Sequence, residues 1–526
     1  MDESQLHYKH GQAYESEGDF AAAATAYRQA LDCDPTDAAS WYSLGDMLLE
    51  MNEFREAADA YRQVVRLDPT AASAYYNIGL ACKEINEWEA AADAYACIIQ
   101  LLPNDAEAHY RRAVALEKLG RIDEAIAEYD ESARLDPQDW WPHYTVGCLR
   151  SDQGRYTEAV EHFTQALVRN PQESMILTDL GLALMDLEKF EDAGRAFRQA
   201  IALGDNDADT YFNLGLALEE ARRWEEAADV YACAIQLQPD DAEIHYRKAL
   251  ALERLDKLDE AIAEYDESAR LNPGNWWPYF NAGNLRDRQG RYTEAIANYQ
   301  QALALNSQDP DIYYNIGLAL MGLERFKEAS REFRHSIALD ASHAEVYYSL
   351  GQSLRAFGQL AQAVEALKQA IRLNPADPDT HWELGEAMSE LGDLDGAIDA
   401  YRAAISLNPD YSFAHSDLGY RLFKKGEVEE AIVECRTAIQ LDPSDPVAYA
   451  YLGEILAQRG DTSEAIAAFQ ESMRLNARNA KVLYCLGVLM QEQGKLKEAI
   501  NMWKMAADMP DDEYAMRAKQ ALEGIL

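Results

Sequence analysis

The sequence is poor in cations, and it has no apolar run that approaches a membrane span. Its 48 Lys and Arg face 92 Asp and Glu, a formal net charge of −44 over 526 residues. A field of that sign repels phosphate backbones and anionic lipid surfaces, so nucleic-acid or membrane binding through a broad basic face is excluded. A basic protein segment is the natural complement, and its attraction should weaken with salt. Crossing a bilayer takes ~20 consecutive apolar residues, and no stretch comes near that. The opening Met1-Asp2-Glu3-Ser4 is acidic and lacks the apolar core of a signal peptide.

Cysteine is also scarce. Cys33, Cys82, Cys97, Cys148, Cys233, Cys435 and Cys485 are an odd number with no C-x-x-C pair, which excludes a disulfide framework and a zinc site. Reduced thiols in a cytoplasmic protein are expected. There is no G-x-S-x-G, no Walker A motif, no metal triad and no isolated carboxylate pair. The expectation is a chain that is not an enzyme and uses no cofactor or metal.

What is present is a period. Alanine recurs every 34 residues from Ala23, Ala57 and Ala91 to Ala465 and Ala499. Twelve residues before each stands a glycine, from Gly11 to Gly487, replaced only by Ala113 and Ala249. Four residues after each comes a side chain that is usually large and aromatic, such as Tyr27, Tyr61, Tyr95, Phe163, Phe197 and Trp503. Apolar spacing of i, i+3, i+4 and i+7 then reads as two helices per period. Ten of the 16 prolines stand 12 residues after the alanine, and none lies inside a predicted helix. A glycine or asparagine usually ends the first helix (Gly18, Asn52, Asn86, Gly120, Gly154) in the left-handed conformation. Glu188, Arg222, Asp256 and Glu324 stand at that place instead, which predicts less well-formed turns. Glu107, Asp209, Glu243, Asp311, Glu345 and Asp379 fall at predicted helix starts, where the macrodipole favours negative charge.

Fifteen units follow, beginning at residues 4, 38, 72, 106, 140, 174, 208, 242, 276, 310, 344, 378, 412, 446 and 480 and filling 1–511. Residues 512–526 read as a capping helix through Tyr514, Ala518, Leu522 and Ile525. Trp41, Leu44, Gly45, Leu48, Ala57, Tyr61, Val64 and Pro69 together resemble the tetratricopeptide repeat pattern, and the resemblance extends over the whole chain. It implies an all-α, right-handed superhelix of helix-turn-helix repeats whose first helices line a groove for peptides or partner segments. A longer repeat is superimposed: residues 72–207 resemble 208–343, with Asp123–Leu135 identical to Asp259–Leu271. A site in the first block should therefore recur in the second, favouring a bivalent ligand.

Repeat positions 2, 5, 6, 9, 12 and 13 are expected on the groove side. Position 5 is aromatic in eleven of the first twelve units, including Tyr76, Tyr110, Phe212, Tyr246, Phe280 and Tyr314. Such rings either form an exposed ladder for an extended peptide or pack between repeats. Position 6 carries Asn77, Asn213, Asn281 and Asn315, with Arg111 and Arg247. Asparagine can pair with a ligand backbone and arginine with a carboxylate. This is similar to part of the dicarboxylate clamp of co-chaperone members, but Tyr42 or Thr178 and Glu107 or Glu243 stand where its lysines belong. The asparagines also resemble the ladder in the recruiting arm of protein O-linked N-acetylglucosamine transferases.

Arg112, Lys248, Arg150 and Arg286 near Trp141 and Trp277 read either as two basic–aromatic patches or as arginines paired with neighbouring acids. His109, His143, His245, His381 and His415 occupy a packing position. Asp205, Asp207 and Asp209 read as a turn. Taken together, these residues predict a scaffold that binds protein segments. The alternatives are the recruiting arm of an enzyme whose catalytic part is elsewhere, and a self-assembling structural scaffold.

Overall fold

The computed structural model describes residues 2–476, 479–510 and 513–525. Among these residues there are thirty-one α-helices and no strand. First helices, such as Ala38–Glu50 and Ala72–Glu84, alternate with second helices, such as Phe54–Leu67 and Trp88–Leu101. The expected boundary at Asp511/Asp512 and the final Leu526 lie outside the described residues.

The helix starts follow from side-chain chemistry. Asp37, Asp105, Asp207, Asp241, Asp309, Asp377 and Asp445 each accept a hydrogen bond from a backbone N–H in the first turn that follows. Each such cap contributes roughly 1 kcal/mol. The six acidic residues expected at helix starts do lie in first turns. Pro310, Pro378 and Pro446 begin helices, and Pro142 and Pro278 sit in first turns, where no backbone donor is lost. Asp205 closes the turn read from its sequence: it accepts from the Thr178 and Thr210 hydroxyls and from the Asp207 N–H.

Within a hairpin, the periodic glycine and the periodic ring make one contact. A Cβ on Gly45 would lie 2.7 Å from the Tyr61 ring, and one on Gly11 2.5 Å from Tyr27. The ring therefore fills the notch left by the missing side chain, and Tyr27 and Tyr61 are completely buried. The periodic alanines, buried alongside, let the helices approach at this distance.

The chain resolves into two compact units, one ending at Glu264 and the other beginning at Tyr265, with the division inside helix Leu258–Leu271. The first unit has a continuous core running from Ala23 and Tyr27 through Tyr61, Tyr95 and Tyr129 to Leu149. In the second, one cluster joins Tyr299, Phe333 and Leu367, and another runs from Tyr401 to Trp503 and Ala518. The last described helix, Glu513–Glu523, buries Ala515 and Ala518, and Leu522 and Ile525 pack on the same cluster.

One expectation is corrected. The turns at Glu188, Arg222, Asp256 and Glu324 are as well formed as those at glycine, with φ of 57°, 57°, 57° and 58°. The following N–H still reaches back into the helix: Lys189 to Leu184 O at 2.9 Å, Arg223 to Leu218 O at 2.8 Å and Arg325 to Leu320 O at 2.9 Å. Hairpin packing imposes the left-handed conformation on residues for which it costs roughly 1–2 kcal/mol. Glu188→Gly, Arg222→Gly and Glu324→Gly should each stabilise the protein by about 1 kcal/mol, because the relief exceeds the entropy glycine adds to the unfolded chain. Denaturant midpoints of the three variants check this, and unchanged or lowered midpoints would contradict it.

Candidate functional site

The position-5 aromatics lie on the first helices, half-buried, and most lean on a ring of the second helix of their own hairpin; Tyr348, whose hairpin has Leu367 at that place, does not. Ring centroids are 6.2 Å apart for Tyr76 and Tyr95, 5.5 Å for Tyr110 and Tyr129, and 6.0 Å for Phe212 and Tyr231. Phe280 with Tyr299 and Tyr314 with Phe333 are both 5.8 Å apart, and Tyr246 is half-buried at the same place. Each ring thus has a packed side and an open side, which combines the two readings of the sequence.

Position 6 ties one repeat to the one before it. Asn77 Nδ2 donates to the Tyr42 hydroxyl at 3.2 Å. The same spacing joins the Tyr144 hydroxyl to Asp179 at 2.7 Å and Trp382 Nε1 to Asp417 at 2.9 Å. Asn315 instead donates to the Asp311 carbonyl at 2.9 Å, while Asn213 and Asn281 are half-buried at equivalent positions. Arg111 and Arg247 are each braced by an acid one turn earlier, Glu107 at 2.6 Å and Glu243 at 2.8 Å. Arg111 also lies over the Tyr76 ring, 5.1 Å from its centroid. Tyr110 and Arg111 converge with Lys83, Trp88 and Tyr95 on a recess of about 180 Å³.

The basic–aromatic patches do not form. Arg112 pairs with Glu128, and Lys248 pairs with Glu264 at 2.6 Å. Arg286 holds Asp266 at 2.7 Å and Asn298 at 2.8 Å, and Arg150 lies 3.2 Å from Glu158. These cations are spoken for. Trp141 and Trp277 remain exposed at the helix starts, each against its neighbouring tryptophan, with centroids 4.9 Å and 4.0 Å apart.

Tetratricopeptide repeat models match residues 144–208, 178–242, 212–275 and 348–412, a second such model matches 106–139, and a third 310–343. A TPR repeat model matches 11–51, 45–85, 287–324, 419–460 and 453–494. The chain belongs to the tetratricopeptide repeat family. It is therefore a repeat protein of the protein-interaction scaffold class. Among solved structures it is similar to YrrB, a tetratricopeptide repeat protein with an unusual peptide-binding site (24% identity over 36% of this chain and 96% of that one, TM-score 0.33). It is also similar to MamA (30% identity over 31% and 94%, TM-score 0.29) and to yeast Tom70 (17% over 90% and 99%, TM-score 0.33). None of the curated proteins compared with it matches significantly.

Two groupings in the tetratricopeptide repeats escaped the sequence reading. The first pairs repeat position 4 with position 23: His109 Nδ1 lies 2.6 Å from Glu128, His245 from Glu264 and His415 from Glu434, each at the same distance. The signal was available as a His and Glu 19 residues apart. The second is an aromatic–basic cluster in the late repeats. Tyr420 and Tyr451 stack at 4.2 Å, Lys424 Nζ lies 4.8 Å from the Tyr420 centroid, and Lys481 bonds Glu454 at 2.5 Å. Tyrosine at positions 9 and 6 was its signal, beyond the end of the position-5 ladder at Trp382. Among the described residues, no three His, Cys, Asp or Glu side chains gather as a metal set, and no helix is long and apolar enough to cross a membrane.

Two of the five histidines lack this glutamate: position 23 is Ala400 in the repeat of His381 and His162 in that of His143. Burial, with Arg169 and His162 nearby, lowers His143 from its ordinary 6.5 to about 4. Its ring stays neutral in the folded state while the unfolded chain accepts a proton. The stability this provides is present above pH ~6.5 and is lost as pH falls toward 4, on the order of 3 kcal/mol in all. His143→Leu copies the buried Leu177, which holds the same position one repeat later, and should flatten this part of the acid profile. Denaturant titrations of both proteins from neutral pH to pH ~4 check it; parallel profiles would contradict it.

Proposed function

We propose that the chain is a non-catalytic cytoplasmic scaffold that binds partner protein segments along the open side of its first helices. The observation carrying this reading is the position-5 ladder, in which Tyr76, Tyr110, Phe212, Tyr246, Phe280 and Tyr314 are half-buried. Five of these rings are backed by a second aromatic. A ring held from behind has already lost its rotamer freedom, so contact with a partner costs little further entropy. Asn77, Asn213, Asn281 and Asn315 place amides beside the rings, where an extended backbone needs donors and acceptors. Trp141 and Trp277 add exposed apolar area at two helix starts of the duplicated block.

The net charge of −44 selects among partners. It favours segments that are basic or neutral overall and speeds their encounter at low salt. The duplicated block presents two related stretches of this surface, to which a long ligand can bind at both ends.

The test is affinity capture from a cytosolic extract at low and moderate salt, read by mass spectrometry. Wild type is compared with a variant carrying Asn77→Ala, Arg111→Ala, Asn213→Ala and Arg247→Ala. Glu107 is exposed, so removing Arg111 from it should cost under about 1 kcal/mol. Arg247 also lies 3.8 Å from the buried Glu219, so the variant's denaturation midpoint is measured beside its capture to separate lost binding from lost stability. The expected outcome is a specific set of partners recovered by wild type, more strongly at low salt, and lost from the variant. Identical sets from both proteins would mean these positions do not bind.

A further inference from the structure

The two halves of the duplicated block differ at one position on which a buried hydroxyl depends. In the second half, the buried Tyr231 donates to Glu219 Oε2 at 2.9 Å, and Arg247 Nη1 lies 3.8 Å from the same oxygen. Glu219 is itself only 8% exposed. It is a carboxylate held from within the chain by one hydroxyl donor and one guanidinium. The first half keeps both of those groups. Tyr95 stands for Tyr231, Arg111 for Arg247, Glu107 for Glu243 and Trp88 for Trp224, each 136 residues earlier. In place of Glu219, however, it has Lys83.

The consequence is an unmatched donor. Tyr95 is 2% exposed, and its buried hydroxyl, with the donor Arg111 beside it, has no acceptor for its own proton. Burial pushes this hydroxyl up to about 12 despite the nearby Arg111, so it carries its proton at neutral pH. A buried unpaired donor is destabilising, and none of the other tyrosine hydroxyls at this repeat position is left so among the described residues. Around it, Lys83, Trp88, Tyr110 and Arg111 line a recess of about 180 Å³, several times the ~30 Å³ a water occupies in the liquid. Lys83 is turned toward its exposed neighbour Glu84 at 3.5 Å, a contact of little strength that a ligand can displace.

We propose that this recess receives a carboxylate of a bound polypeptide, in the place Glu219 fills from within, with Tyr95 donating and Arg111 and Lys83 supplying charge. The second half is then closed by its own glutamate, and the two halves are not equivalent sites. This rests on the reading that partners lie along the first helices. The surrounding field is acidic, so the preferred segment carries one carboxylate within an otherwise basic or neutral stretch.

The experiment presents a displayed library of random short peptides to the full chain and to Lys83→Glu and Tyr95→Phe. Retained peptides are then synthesised with free and amidated C-termini and with each Glu or Asp changed to its amide. Lys83→Glu supplies the missing acceptor, so it should raise the denaturation midpoint while abolishing capture of carboxylate-bearing peptides. Tyr95→Phe removes an unpaired hydroxyl, so it should keep the fold and weaken the same peptides by about tenfold or more. Loss of affinity on Glu→Gln or Asp→Asn assigns the carboxylate to a side chain, and loss on amidation assigns it to a chain end. Peptides bound equally well by all three proteins would overturn the recess while leaving the first-helix surface standing. Wild type retaining no peptide would overturn both.

Discussion

The contact between a glycine of the first helix and an aromatic ring of the second is the constraint on which the rest depends. The ring occupies the volume a side chain would have taken, so helix spacing, hairpin angle and the burial of the periodic alanines are set together. Burying a ring of this size contributes about 2–3 kcal/mol, and the contact recurs at the 34-residue spacing. When the ring is tyrosine, a second requirement follows, because its hydroxyl emerges at the first helix and must find an acceptor. Tyr27 meets Glu15 at 2.6 Å, Tyr61 meets Asp46 at 2.6 Å, Tyr129 meets Glu117 at 2.9 Å and Tyr401 meets Glu386 at 2.5 Å. Tyr299 uses the amide of Asn284 at 2.9 Å. When the ring is phenylalanine, as at Phe197 and Phe333, the same positions hold Leu182 and Met185, or Leu318 and Met321. In these repeats core identity sets polarity on the candidate binding face; the repeat of Phe469 departs from this, with Glu454 at position 9 bonded to Lys481.

This coupling accounts for part of the acidic excess. Glu15, Asp46, Glu117, Glu219 and Glu386 are hydrogen-bond acceptors for buried hydroxyls, and the helix-start aspartates are caps. They are structural charges whose field a partner then meets. The net potential is in this respect a by-product of how tyrosine-bearing hairpins are satisfied.

The helix pairs, their caps and the aromatic ladder were legible because each obeys a spacing within one helix or one period. What was not legible depended on the neighbouring helix. For Arg112 and Lys248 the sequence left patch and ion pair both open, because the deciding partners, Glu128 and Glu264, lie 16 residues on, across the hairpin. The histidines lie at the packing position expected of them, yet the sequence reading missed the glutamates 19 residues on from His109, His245 and His415. The turns at Glu188, Arg222 and Glu324 were misjudged for a related reason. Local propensity argues against a left-handed glutamate or arginine, but packing on both sides of the turn outweighs that preference.

Divergence within such an array has few places to act. A change at the periodic glycine, alanine or ring disturbs a close contact, whereas positions 9 and 12 of the first helix lie beyond it and include the acceptors for the hydroxyl behind them. Replacing an acceptor there by another side chain leaves the hairpin intact and transfers the unmet hydrogen bond to whatever lies in front of it. That is the situation at Tyr95, where the acceptor position is Lys83. Two adjacent cations would suit an anion poorly on the surface of so acidic a molecule if only the long-range field mattered. At contact distance, however, screening limits distant charges to about 8 Å in physiological salt, while a desolvated donor and guanidinium act at full strength. Overall charge therefore chooses which segments approach, and a single substituted acceptor chooses which side chain is held.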